Sequence, residues 1–154
     1  MEQVQTWCAD RLMFNPTREQ VRQFFVDVWA DYRAGRDLSG NQVVALEAIL
    51  AHPEYHALLE NPARYLEREY LPEMGETNPF LHLSMHLSIA EQLAIDQPAG
   101  VRMRYEKLLA RHEKAMQAQH DMMDCLAEMI WQAQRNGTAY DPLAYLQCLD
   151  AKLG

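Results

Sequence analysis

Residues 78–96 read NPFLHLSMHLSIAEQLAID, and this stretch decides the fold class. Asn78 is placed as a side-chain acceptor for an N-cap, and Pro79 follows at the first helical position, where a missing N–H does no harm. From there Phe80, Leu81, Leu83, Met85, Leu87, Ile89, Leu93 and Ile95 spread apolar groups around nearly the whole helical circumference. A helix of that kind is central and buried. We therefore expect a central buried helix over 79–96 in an all-α, single-domain helical bundle. Pro98-Ala99-Gly100 should break it.

The same Asx–Pro grammar recurs at Asn15-Pro16, Asn61-Pro62 and Asp141-Pro142. Working outward, helices are predicted over 16–34, ended by Gly35, and over 39–51, 53–60 and 62–70. Residues 71–77 read as a loop. A long helical stretch over 101–136, interrupted near His112 and capped by Gly137, precedes a last helix over 142–153. That makes about six to seven helices. The first carries the stripe Val21, Phe24, Phe25, Val28, Trp29 and Tyr32 at spacings of three and four. No strand alternation and no internal repeat stand out. Residues 1–12 read as a weakly patterned N-terminal extension and 13–154 as the single helical domain.

A chain of 154 residues with 49% hydrophobic side chains can bury a core without staples. A net charge of -8 opposes phosphate backbones and anionic membrane surfaces, so neither nucleic acid nor membrane is expected as a partner. Cys8, Cys125 and Cys148 are odd in number and form no CxxC pair. The expectation is reduced thiols in a cytoplasmic protein, with Cys125 and Cys148 as packing residues. Neither a secretory signal nor a membrane-spanning run is apparent. Glycine-rich phosphate loops, GxSxG and HExxH are absent too, so no nucleotide cofactor is expected and no reaction is named.

The chemistry lies in histidines and acids at helical spacing. His82 and His86 stand four apart on the most apolar helix, so both rings project from one face. Buried imidazoles need a hydrogen-bond partner or a metal. His120 and Asp124 form a second row, with Glu128 one turn further on, and His56 and Glu60 form a third. His52 precedes a proline and reads as a turn cap, and His112, flanked by Arg111, Glu113 and Lys114, reads as solvated. Glu47 falls between Val43 and Val44 on the wheel of its helix, where a carboxylate is paired, protonated or ligating. The expected metal ligands are thus His56, Glu60, His82, His86, His120 and Asp124. Such a mixed set suits iron, manganese or zinc, as one ion or two.

Two resemblances follow from these residues. The order His-x3-Glu, His-x3-His, then His near Asp resembles that of hemerythrin-like proteins. It departs in having no histidine on the first helix and three residues, not four, between His120 and Asp124. From Phe14 onward the chain resembles the bacterial domain of unknown function 1841 family. The likeness is carried by Phe14-Asn15-Pro16, His52-Pro53-Glu54-Tyr55-His56, Asn78-Pro79 through His86, and Trp131-Gln132-Ala133-Gln134-Arg135-Asn136-Gly137. That resemblance implies a bacterial source and no assigned activity.

Two readings of function result. In one, buried histidine and carboxylate rows bind one or two transition-metal ions. In the other, the histidines are hydrogen-bonded core residues of a metal-free structural or interaction domain. Exposed aromatics such as Tyr140 and Tyr145 would then meet a protein partner or a second copy. A pH-responsive helical domain is a third, because buried imidazoles resist charging.

Overall fold

The computed structural model describes residues 18–65 and 78–154. Among the described residues the secondary structure is helical, as the patterning requires. The helices are α1 (Arg18–Arg33), α2 (Asn41–Leu50), α3 (His56–Glu60), α4 (Pro62–Tyr65), α5 (Pro79–Ile95), α6 (Val101–His112), α7 (Ala115–Asn136) and α8 (Pro142–Leu153). A 3-10 turn, Pro53–Tyr55, leads into α3. The Asn15-Pro16 start, the predicted helix end at Tyr70, the 71–77 loop and the 1–12 extension lie outside the described residues.

The caps explain the boundaries. The Asn78 side chain accepts from the backbone N–H of Phe80 and Leu81 at 3.0 and 3.1 Å, and Asp141 accepts from Ala144 at 3.2 Å. Each satisfies donors that the first helical turn leaves without partners. Asn61 differs: its amide turns back to donate to the Ala57 carbonyl at 2.8 Å, closing α3 instead of opening α4. The break near His112 falls as expected, at Glu113 with φ 61°, and separates α6 from α7. Gly137 adopts φ 62° after α7, a left-handed cap that a side chain would disfavour.

The chain groups into two compact units, Leu12–Leu87 and Ser88–Gly154, with α5 running from one into the other. In the first, Phe25, Val28 and Trp29 of α1 pack with Ala45, Ala48 and Ile49 of α2, Leu59 of α3, and Phe80, Leu83 and Leu87 of α5. Arg22 is buried there with its guanidinium 4.9 Å from the Phe80 ring centroid. This arrangement corrects the reading of Glu47. The buried face of α2 is Ala45, Ala48 and Ile49, which leaves Glu47 exposed with Val43. Tyr32, at the end of the α1 stripe, is exposed as well.

In the second unit α6, α7 and α8 pack on one another. Val101, Leu108, Met122, Leu126, Met129 and Leu149 are among its buried residues. Tyr145, expected at the surface, is 1% exposed and donates its hydroxyl to Gln92 Oε1 at 2.7 Å. The thiol reading is corrected too. Cys125 of α7 and Cys148 of α8 form a disulfide with Cα atoms 5.7 Å apart. Their separation of 23 residues hid this, because the turn between the two helices brings distant positions face to face. His112, read as solvated, is half-buried and paired with Asp121.

Candidate metal centre

The site begins at the C-terminal end of α2. The last carbonyls of a helix lack intrahelical donors, and the ring of His52 supplies one. Its Nδ1–H donates to the Ala48 carbonyl at 2.7 Å. Pro53 holds the chain out of a continuing α-helix, and His52 takes φ −124° there. The hydrogen bond fixes the tautomer: with the proton on Nδ1, the neutral ring carries a bare lone pair on Nε2.

That lone pair meets two more imidazoles from α5. His82 Nε2 lies 2.9 Å from His52 Nε2, and His86 Nε2 lies 3.3 Å from His82 Nε2. The ring centroids form a near-equilateral triangle with sides of 4.6, 5.0 and 5.0 Å. Their ligand nitrogens all lie within 4.8 Å of one another. His52 and His86 are buried and His82 half-buried.

Proton counting shows what is unusual. His82 Nε2 carries at most one hydrogen, and it faces two other Nε2 atoms. If it donates to His52, it has no lone pair left for a donor on His86. A cation at this point could take a lone pair from each ring. In a tetrahedron with Zn–N bonds of about 2.0–2.1 Å, neighbouring ligands stand roughly 3.3–3.4 Å apart; the 3.3 Å contact has that length and the 2.9 Å contact is shorter. The Ala48 carbonyl would then be the outer partner that orients the His52 imidazole.

Tyr55 walls the group. Its ring stacks on His52 with centroids 5.3 Å apart and meets His82 edge-on at 6.0 Å. Burial pushes the Tyr55 hydroxyl above its ordinary pKa, and the charge of Glu54 adds to this. The phenol therefore stays neutral at physiological pH.

Of the other expected ligands, His56, Glu60 and Asp124 are engaged in other contacts. His56 Nε2–H donates to the Ile49 carbonyl at 2.9 Å, and its ring stacks on Trp29 at 4.2 Å. Glu60 accepts from Trp29 Nε1 at 3.1 Å and pairs with Arg33 at 3.3 Å. These contacts tie α3 to α1, and the His-x3-Glu row stays out of the imidazole group. In the second unit, Asp124 is exposed and paired with Lys152 at 3.2 Å, and Glu128 accepts from Gln132 at 3.0 Å. His120 lies on α7, half-buried.

His52 is the residue that sequence reasoning set aside. Its signal was present, since a histidine before proline at a helix end can bond the carbonyl four residues back. Helical spacing linked His56 to Glu60 instead, and His52 precedes the 3-10 turn that leads into their helix.

The comparisons with known proteins carry no activity to this geometry. No curated protein and no solved structure matches the chain significantly. One family model does match, over residues 17–151, and it spans the whole imidazole group and the greater part of both units. By that match the chain belongs to the domain of unknown function 1841 (DUF1841) family.

Proposed function

We propose that this protein binds a transition-metal ion through Nε2 of His52, His82 and His86. The supporting observation is the convergence of three ligand nitrogens on one point, with the His52 tautomer fixed from behind by Ala48. Imidazole ligands suit zinc and iron, whereas manganese favours carboxylates, and the nearby acids are engaged elsewhere. Among the metals expected from sequence, zinc and iron fit this donor set better than manganese. His120 remains in the proposal as the ligand expected from sequence in the second unit. We also propose a cytoplasmic location, where the Cys125–Cys148 bond would be transient.

The test is elemental analysis of untagged protein after growth with added zinc or iron. About one ion per chain is expected, lost in a His82→Ala, His86→Ala double variant and reduced in His52→Ala. His120→Ala reads that residue's share directly. Metal far below stoichiometry in the parent, or retained in the double variant, overturns the proposal. The competing reading is a metal-free hydrogen-bonded histidine core. It draws on the 2.9 Å His82–His52 contact, which one shared proton can serve. Under that reading added metal would leave the melting temperature unchanged, whereas a bound ion raises it.

A further inference from the structure

The second unit holds a separate chemical feature. A cavity of about 350 Å3 opens between α7 and α8, and both sulfurs of the Cys125–Cys148 bond belong to residues that line it. Gln132, Glu128 and Asp141 line it and are themselves exposed to solvent. Cys125 is buried, at 1% exposure, while Cys148 is half-buried.

We propose that Cys125–Cys148 is a thiol–disulfide exchange site, served by this cavity, whose reductant is a small neutral or cationic thiol. Exchange needs a thiolate to reach one sulfur of the bond, and the more exposed sulfur is the one attacked. That is Cys148. The entering R–S⁻ bonds to Cys148 Sγ, the S–S bond breaks, and its electron pair leaves on Cys125 Sγ, which takes a proton from water. A second R–S⁻ then attacks the reductant's own sulfur in the mixed disulfide. It releases R–S–S–R and leaves Cys148 as a thiolate that water protonates. The balance is two thiols oxidised to one disulfide and one protein disulfide reduced to two thiols.

The selectivity follows from charge. The charged residues lining the cavity, Glu128 and Asp141, are both acids, and no cationic side chain lines it among the described residues. The chain as a whole carries -8. An anionic thiol is repelled and a cationic one drawn in. Reduction also leaves α8 held in place by other bonds. Tyr145 donates to Gln92 at 2.7 Å, Arg104 grips both oxygens of Asp150 at 2.8 and 3.1 Å, and Arg111 donates to the Lys152 and Leu153 carbonyls at 3.0 Å. Exchange therefore proceeds on the folded protein. In a reducing compartment such a bond is transient, which suits a regulatory thiol pair.

The test uses the oxidised full-length chain carrying Cys8→Ser, so that only this pair can react. Cysteamine and mercaptosuccinate are compared at equal thiolate concentration, with acid-quenched intact mass and peptide mapping as readout. Cysteamine should react about fivefold faster or more, through an adduct on Cys148, with unchanged helical circular dichroism. The preference should shrink in about 1 M salt and in Glu128→Gln. Equal rates for the two thiols, an adduct on Cys125, reduction only under denaturing conditions, or no disulfide in the oxidised protein would each overturn the proposal.

Discussion

In the second unit Tyr145 meets Gln92, Arg104 meets Asp150 and His112 meets Asp121, each a donor facing an acceptor. In the first unit His52, His82 and His86 meet one another. Buried polar groups normally find complementary partners, because an unmatched donor or acceptor loses its hydration with no return. Complementary pairs need nothing further and explain themselves as structure. Three like groups pointing at one spot are a different arrangement, and the proposed ion would give them a common partner. The contrast separates polar residues that hold a helix in place from the three that we propose to hold an ion. Gln92 marks the boundary: its Oε1 is satisfied by Tyr145, while its Nε2 is buried without a partner among the described residues.

The strongest way to break this contrast is to remove the imidazoles. The His82→Ala, His86→Ala variant should lose metal affinity by more than about 100-fold, read by competition with a chromophoric chelator. A small change would mean the trio is merely another packed cluster. The next test reverses the roles. His56→Ala, outside the trio, should keep its metal yet lose about 1–3 kcal/mol of stability in urea denaturation, because the ring stacks on Trp29 and bonds the Ile49 carbonyl. Metal loss in His56→Ala would erase the line between ligand and structural histidine.

Smaller effects sharpen the other side. Tyr145→Phe removes the hydroxyl from Gln92 and leaves that buried amide unmatched, which should cost about 1–2 kcal/mol by thermal melting with metal content unchanged. The smallest effect concerns Asp150. The Arg104 guanidinium holds its carboxyl below the ordinary value of 3.8. A lowered folded pKa contributes stability that is present above 3.8 and is lost as pH falls through the folded value. Asp150→Asn should therefore lower the melting temperature slightly above that pH and converge on the parent as pH falls through the folded value. A difference that persists undiminished at the lowest pH, or no difference at neutral pH, would contradict the pairing.

The helical class was legible from residues 78–96 and from the Asx–Pro starts, because periodicity and capping are local and depend only on spacing along one helix. His82 and His86 were legible as a pair for the same reason. Tertiary structure alone decided the rest. Placing His52 with them required the end of α2 to meet α5, and dismissing His56 required seeing Trp29 beneath its ring. The Cys125–Cys148 bond required α7 and α8 to fold back on each other. Helical spacing shows which residues share a face. Which faces meet depends on burial summed over many side chains, and no short stretch of sequence contains that sum.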